Sequence, residues 1–256
     1  MASRAVLSSP GRRWSARRLQ HLVASAGSVR LHLGCGPRIL PGWANIDIGL
    51  HADVTLDLCR PIPLPDDSVD YVFSEDFIEH LSFKMGSGVL RECARVLRPG
   101  GVLRLATPDL TRFAQEYLAR SEPGLAWYRA EFPGLVTHAQ MFNAGMRAWG
   151  HRFLYDEETL RFVLEPLGFS VVRTAFGQST VEALRGLEVR DAGEGATSMY
   201  FEATLTGTPA RDAPSLAVPS QQSLLGGDEP GHEPAAPLHH GEPDEHQAAE
   251  EPQRHT

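Results

Sequence analysis

The chain has few cysteines and no long apolar run. Its 256 residues include Cys35, Cys59 and Cys93, and no two of them form a C-x-x-C pair. This set argues against a disulfide scaffold or a cysteine zinc site and favours a reducing compartment, so we expect a cytoplasmic protein. No apolar run approaches the roughly 18 residues that a membrane span needs, so no span is expected. The apolar share of 42% is typical of a globular protein.

Acidic residues are absent from one end of the chain, and aromatic residues from the other. The first 30 residues hold six arginines and no acid, whereas residues 208–256 hold nine acids, two arginines and no aromatic side chain. The net charge of -8 therefore describes neither end. Residues 208–256 also carry eight prolines and five histidines. This composition predicts a disordered acidic tail, in which His239 and His240 can bind metal only adventitiously.

Residues 1–27 form a basic lead-in with two interpretations. Trp14, Arg18 and Leu22 recur at i, i+4 spacing, as do Leu19 and Val23, which predicts a helix. A basic helix of this kind can rest on an acidic partner or an anionic membrane face. The Arg-rich, Ser-rich, acid-free composition is also that of an organellar transit peptide, so both interpretations stay open.

The middle of the chain alternates strand and helix signals. Strands are predicted over seven segments: 28–33, 44–48, 54–58, 69–74, 102–107, 169–175 and 198–206. Asp76 with Glu79 predicts a capped helix interrupted by Gly86 and Gly88, and a better helix follows and ends at Pro99. Residues 156–167 predict a late helix, and residues 109–150 an irregular insertion. The alternation predicts an α/β fold with a mainly parallel sheet.

Ligands of such sheets bind outside the carboxyl ends of the strands, so the residues that follow each strand are the candidates for a site. Gly34 and Gly36 follow the first strand and allow close approach of a ligand. Ile39 stands where a dinucleotide fingerprint needs its third glycine, so a tight turn is the alternative. Asp47 can accept both hydroxyls of a ribose, and Asp57 an adenine amine, although each alone also suits a turn or a cap.

Five ordered segments together resemble the class I S-adenosylmethionine-dependent methyltransferases. They read LHLGCG at 31–36, NIDI at 45–48, LPDDSVD at 64–70, EHL at 79–81 and RVLRPGG at 95–101. A bacterial subgroup reading GCG, PGW.NID, EHL, RVL.PGG, ATPDL is the most similar. The resemblance covers roughly residues 17–206 and implies a doubly wound, Rossmann-like sheet of seven strands with the last one antiparallel. It divides the chain into the lead-in, a methyltransferase domain over 28–207 with an insertion near 109–155, and the tail over 208–256.

The resemblance also implies a cofactor, S-adenosyl-L-methionine, and roles for individual residues. Gly34, Cys35 and Gly36 would flank its methionine part, and Asp47 would hold its ribose. Asp57 and Leu58 would face the adenine. Ser74 and Glu75 would line the cofactor and the transferred methyl group.

The methyl group of a sulfonium is already electrophilic, so aligning it with the acceptor is the main task and no metal is expected. A hydroxyl or amine acceptor still needs a base, most simply a histidine. His151 is the first candidate and His80 the second, while His138 is a third, and each is otherwise a packed histidine. Asn143 and Tyr155 are candidates for orienting an acceptor. Asp109 either binds it or caps the next helix.

We therefore expect methyl transfer to a hydroxyl or amine of a small molecule or a saccharide. Two segments, residues 109–155 and residues 178–190, are expected to form the acceptor side. Aromatic and basic side chains mix in the first of them: Trp127, Tyr128, Arg129, Arg147 and Arg152. The alternatives are a cofactor-binding regulatory protein without turnover and a nicotinamide-dependent oxidoreductase. A nucleic-acid substrate is not expected, because the catalytic region is acidic and lacks an aromatic-basic stripe.

Overall fold

The structure, a computed structural model, describes residues 9–24, 26–189 and 197–207. The predicted tail over 208–256, the start of the lead-in over 1–8 and Arg190 of the predicted acceptor loop lie outside the described residues.

The described residues form one seven-stranded sheet in the order β3-β2-β1-β4-β5-β7-β6. β1 to β5 pair in parallel, whereas β7 runs antiparallel to both β5 and β6. The strand order departs in both directions from β1, so the sheet is doubly wound and Rossmann-like, and its last strand is antiparallel as predicted. The strands are β1 (Arg30–Leu33), β2 (Ala44–Asp47), β3 (Val54–Thr55), β4 (Val69–Glu75), β5 (Leu97–Pro108), β6 (Phe169–Thr174) and β7 (Ser198–Leu205).

Six α-helices accompany the sheet in the described part of the chain. They are α1 (Ser9–Ala24), α2 (Phe83–Val96), α3 (Leu110–Leu118), α4 (Glu122–Glu131), α5 (His138–Arg147) and α6 (Glu157–Leu164). α1 buries Leu19 completely in the main core, and the Ser15 hydroxyl donates to the carbonyl of Thr55 at 2.7 Å. None of the described helices combines the length and the apolar character that crossing a bilayer requires.

The two faces of the sheet are covered differently. Val72 and Leu103 belong to the main core together with Leu90 of α2 and Leu164 of α6. Their neighbours along the strands belong to a second cluster, which consists of Trp43, Phe73, Val102 and Leu184. Because neighbouring strand residues point to opposite faces, the two clusters lie on opposite sides of the sheet. The second face is thus covered by loop residues from 40–43 and 181–187, and only the first by regular helices.

The predicted helix beginning at Asp76 is wrong. Asp76 adopts a left-handed backbone with φ 50°, and a short 3-10 turn over Ile78–His80 follows it. Glu79 does not cap this turn, because its side chain is fully buried and accepts a hydrogen bond from the Thr107 hydroxyl at 3.0 Å. The helix begins instead after Ser82, whose hydroxyl accepts from Met85 N at 3.4 Å.

Three further predictions of local structure need correction. Gly86 and Gly88 lie inside α2 and do not interrupt it. β3 ends at Thr55, short of the predicted end at Leu58. Residues 109–150 are not irregular: they form α3, α4 and α5 around a separate apolar cluster whose buried members are Phe113, Leu125, Tyr128, Leu135, Met141 and Leu154.

Candidate functional site

The carboxyl ends of β1, β2, β4 and β5 meet at one edge of the sheet. Leu33 at the end of β1 pairs with Ile46 on one side and with Ser74 on the other, and Glu75 pairs with Ala106. The residues that follow these strands therefore lie side by side, as parallel pairing requires. This edge adjoins β1 and β4, where the strand order reverses and where such sheets bind ligands.

Asp47 ties the turn after β1 to the end of β2. Its Oδ2 accepts from Gly36 N at 3.0 Å, and its Oδ1 accepts from Gly49 N at 2.7 Å. Each carboxylate oxygen has about two acceptor sites, so Asp47 retains capacity for a ligand hydroxyl. No described atom lies within 4 Å of the position that a Cβ of Gly36 would take, so the turn is open to a ligand there.

Gly34 lies against the ring of Phe77. It has φ 65°, and a Cβ at this position would lie 2.3 Å from Cγ of Phe77. The absent side chain thus makes room for the Phe77 ring, which follows β4. Neighbouring Cys35 is buried, and burial raises the pKa of its thiol to about 12, so it is a packed thiol at neutral pH.

Ser74 and Glu75 end β4 in contrasting environments. The Ser74 hydroxyl is buried and has no hydrogen-bond partner among the described residues. Glu75 pairs with Arg38 at 3.0 Å and accepts from Val189 N at 3.0 Å. Arg38 also donates to the carbonyl of Leu187. Glu75 therefore fastens the segment around Val189 to the edge of the sheet.

Asp57 and Leu58 are engaged within their own loop. Asp57 accepts from Cys59 N at 3.0 Å and pairs with Arg60 at 3.3 Å, and Leu58 packs in the main core. These contacts are those of a turn residue and a core residue.

The structure brings together the two histidines that the sequence analysis ranked highest. The ring centroids of His80 and His151 lie 5.2 Å apart. Arg152 N and Phe153 N donate to the carbonyl of Glu79 at 2.7 and 3.1 Å, which holds the end of the insertion against the 3-10 turn. His151 Nδ1 lies 2.8 Å from the carbonyl oxygen of Gly145. Since a carbonyl only accepts, Nδ1 carries a proton in this contact.

His80 is neutral at neutral pH. Burial, and to a smaller extent the neighbouring His151, lower its pKa to about 4. Hydrogen bonds to the backbone of Gly150 and Trp149 and the charge of Asp47 act in the opposite direction.

An aromatic wall continues from His151 into the helical insertion. The Trp149 ring centroid lies 5.6 Å from that of His151, 5.0 Å from that of Phe132 and 6.1 Å from that of Trp127. Trp149 adopts φ 55°, a left-handed conformation that a bulky residue takes only where its surroundings impose it. Tyr128 is buried, and Arg129 donates to the carbonyls of Leu135 and Val136.

The remaining candidates have structural contacts. The Asp109 carboxylate caps α3 by accepting from Thr111 N at 3.0 Å, and it pairs with Arg173 at 2.7 Å. Asn143 donates to the carbonyl of Ala139 at 2.9 Å within α5. His138 is buried near Glu122 at 3.9 Å. Asp109 is thus a cap, the second of its two predicted roles.

Sequence reasoning missed Glu79, Phe77, Arg38 and Thr107 as parts of this region. Glu79 and His151 are far apart in the chain, so no spacing pattern links them. The adjacency of Glu79 to His80 was the available signal, and the capping interpretation concealed it.

Comparisons with known proteins agree with this architecture. Residues 44–105 match a family model described as a methyltransferase domain. A relative from Mycolicibacterium smegmatis named "probable S-adenosylmethionine-dependent methyltransferase" is 47% identical over 131 residues, which cover 51% of this chain and 46% of the relative. Methyltransferase GfsG of Streptomyces halstedii is 32% identical over 130 residues, covering 41% of this chain and 45% of that protein. The chain thus spans about half the length of these curated relatives.

Solved methyltransferase structures are distant. A protein from Archaeoglobus fulgidus gives a TM-score of 0.44 at 18% identity over 75% of this chain and 94% of its own. A protein from Mesorhizobium loti gives 0.45 at 15% identity over 73% and 95%. Over residues 44–105, and over about half of its length, the chain is thus similar in sequence to S-adenosylmethionine-dependent methyltransferases.

Proposed function

We propose that the chain transfers the methyl group of S-adenosylmethionine to a hydroxyl or amine of a small molecule or saccharide, in a reducing compartment such as the cytoplasm. The observation that carries this proposal is the His80–His151 pair, whose rings lie 5.2 Å apart at the 3-10 turn that follows β4. Loss of the acceptor's proton depends on a neutral nitrogen close to the reacting oxygen or nitrogen, and this pair supplies one.

The residues at the sheet edge fit the cofactor. Gly36 leaves open space, Asp47 retains acceptor capacity for ribose hydroxyls, and the Ser74 hydroxyl is buried without a partner among the described residues. When bound, S-adenosylmethionine supplies an electrophilic methyl group on a sulfonium. We assign Asp47 to the ribose, the turn over 34–36 and Ser74 to the methionine part, and Asp57 and Leu58 to the adenine side. Glu75 contributes by holding the segment around Val189 at this edge.

The acceptor side is formed by the end of the insertion. Trp149 and Trp127 are partly exposed, and Arg147 and Arg152 are exposed. An aromatic surface beside guanidinium donors suits a polar ring with several hydroxyls. The apolar face of such a ring can stack on the tryptophans, while hydrogen bonds from the arginines orient its hydroxyls. This mixture supports a saccharide among the acceptor classes.

The first test measures cofactor binding. Calorimetry with S-adenosylmethionine, S-adenosylhomocysteine and NADH should show binding of the first two only. Asp47→Asn should weaken S-adenosylmethionine binding by about 10- to 100-fold, because a charge-assisted hydrogen bond is worth about 1.5–3 kcal/mol. Asp66→Asn removes an exposed carboxylate and is the control. Equal affinity in both variants contradicts the cofactor assignment.

The second test measures turnover as S-adenosylhomocysteine release over a panel of sugars, sugar acids, phenols and amines. His151→Asn should lower turnover by about 100-fold or more and leave cofactor affinity within about twofold, because the histidine acts on the acceptor's proton. His51→Asn changes an exposed histidine and should leave turnover unchanged. Tight cofactor binding with no turnover across the panel would instead favour a regulatory protein.

A further inference from the structure

Three groups with metal-ligand chemistry lie close together where the 3-10 turn after β4 meets the end of the insertion. Glu79, His80 and His151 each offer one ligand atom, and these atoms all lie within 4.8 Å of one another. Glu79 is fully buried, whereas the two histidines are partly buried. The group therefore combines a carboxylate inside the protein with two imidazoles that are partly exposed.

Each of the three groups is oriented by a second contact. Glu79 Oε2 accepts from the Thr107 hydroxyl at 3.0 Å. His151 Nδ1 donates to the carbonyl of Gly145 at 2.8 Å, which fixes the orientation of the ring. The ring of His80 hydrogen-bonds to the backbone of Gly150 and Trp149. Metal-binding histidines and carboxylates are held in this way, which fixes the tautomer and the direction of the lone pair.

Backbone hydrogen bonds hold together the two segments that carry the three groups. Glu79 and His80 come from the 3-10 turn after β4, and His151 from the end of the insertion. The two hydrogen bonds from Arg152 N and Phe153 N to the Glu79 carbonyl join these segments at the level of the three groups. The arrangement is therefore preorganised.

We propose that Glu79, His80 and His151 bind one divalent transition-metal ion, for which two imidazoles and a carboxylate make Zn²⁺ the best match. Three protein ligands leave a coordination position open, as in catalytic zinc sites. This inference rests on the proposed function and deepens it, since it specifies how the histidine pair promotes loss of the acceptor's proton.

The open position takes the acceptor oxygen, and the ion lowers the pKa of its hydroxyl. The O–H proton leaves to solvent. The oxygen then uses an electron pair to form a C–O bond with the methyl carbon as the C–S bond breaks, and the bonding pair returns to sulfur. The sulfonium becomes the neutral thioether S-adenosylhomocysteine, so charge and atoms balance without a redox partner.

The experiment measures metal binding directly, on the full chain. Protein freed of metal with a chelator is titrated with Zn²⁺ by calorimetry and with Co²⁺ by its visible absorbance, which reports coordination. We expect one ion per chain at this site. Glu79→Gln and His151→Asn should each weaken its affinity at least about 10-fold, the lower end of what losing even an outer-shell partner costs. Thermal melts confirm that both variants fold.

The tail histidines provide the matched control. His239→Ala combined with His240→Ala removes two histidines outside the site and should leave the binding of this ion unchanged. If Glu79→Gln and His151→Asn bind Zn²⁺ as the wild type does, or if only the tail variant loses the ion, the proposed site is wrong.

Turnover separates this inference from the function on which it rests. Chelation should abolish S-adenosylhomocysteine release, and Zn²⁺ should restore it. Full turnover in chelator overturns the metal site while methyl transfer stands, with the histidines acting directly as bases. Saturable Zn²⁺ binding at these residues without turnover on any acceptor supports the metal site and contradicts the methyltransferase proposal.

Discussion

His32 is a buried histidine in the middle of β1. Its ring is 5.1 Å from that of Phe73, and its Nδ1 lies 3.0 Å from Asn45 Oδ1 on β2. Burial lowers the pKa of His32 to about 4, from the 6.5 of an unperturbed histidine. The folded protein therefore holds this imidazole neutral, whereas the unfolded chain protonates it below about pH 6.5.

This residue makes the free energy of unfolding depend on pH. The unfolded state binds more protons between pH 6.5 and 4, so stability is full above 6.5 and is lost as the pH falls toward 4. By pH 5 the loss from His32 should be about 2 kcal/mol. Urea unfolding between pH 7 and 5 measures it. His32→Gln should make the dependence shallower by the His32 share, with His80 still contributing over the same range. His21→Gln, which changes an exposed histidine of α1, should leave it unchanged; equal slopes in both variants would contradict the assignment.

At the scale of the element, α2 contains two glycines whose surroundings differ: Gly86 is crowded and Gly88 is not. A Cβ at Gly86 would lie 2.3 Å from the Tyr155 hydroxyl, whereas no described atom lies within 4 Å of a Cβ at Gly88. Tyr155 is itself fully buried in the main core. The absence of a side chain at Gly86 thus allows Tyr155, at the end of the insertion, to pack close against α2.

Alanine at the two positions should act in opposite directions. Gly86→Ala forces Tyr155 to move in a packed core and should destabilise the protein by about 1–3 kcal/mol. Gly88→Ala should stabilise it by up to about 1 kcal/mol, because alanine is the better helix former. Urea midpoints of both variants measure the difference. Destabilisation by Gly88→Ala, or none by Gly86→Ala, would show that this packing is described incorrectly.

Sequence patterns predicted the strands better than their connections. β4 and β7 are confirmed to within one residue, because continuous or alternating apolar residues define a buried strand. The predicted start of α2 was wrong because Asp76 and Glu79, the apparent capping pair, make contacts with β5 instead: Asp76 N donates to the Ala106 carbonyl, and Glu79 accepts from the Thr107 hydroxyl. The edge of the sheet followed from topology, but the contact between Phe77 and Gly34 did not, since local pattern carries no information on which distant ring fills a gap.

At the scale of the whole molecule, a buried ion pair fixes the loop-covered face. Arg104 of β5 and Glu188 are both fully buried and paired, and Arg104 also lies 3.3 Å from Glu202 of β7. Arg104 donates further to Thr174 at the end of β6 and to the carbonyl of Ala175 at 3.1 Å. One guanidinium therefore joins β5, β6, β7 and the loop that covers them.

Breaking this pair should be costly. Arg104→Met leaves the Glu188 charge buried without its partner and should lower the free energy of unfolding by about 3–5 kcal/mol. Combining Arg104→Met with Glu188→Gln removes both charges and should recover a large part of the loss. Chemical denaturation of both variants and the wild type measures it. If the single variant is as stable as the double, the pair does not hold this face.

The helical insertion begins and ends at neighbouring residues. Asp109 and Tyr155 form a parallel bridge, and Leu110 N donates to the Tyr155 carbonyl at 2.9 Å. A segment whose two ends already meet can lengthen, shorten or be exchanged without moving the elements that flank it, because the entropy of closing a loop grows only slowly with its length. Evolution can therefore replace the helical insertion as a unit while the turns at the edge of the sheet keep their geometry, and a designer can graft another segment between the same two residues.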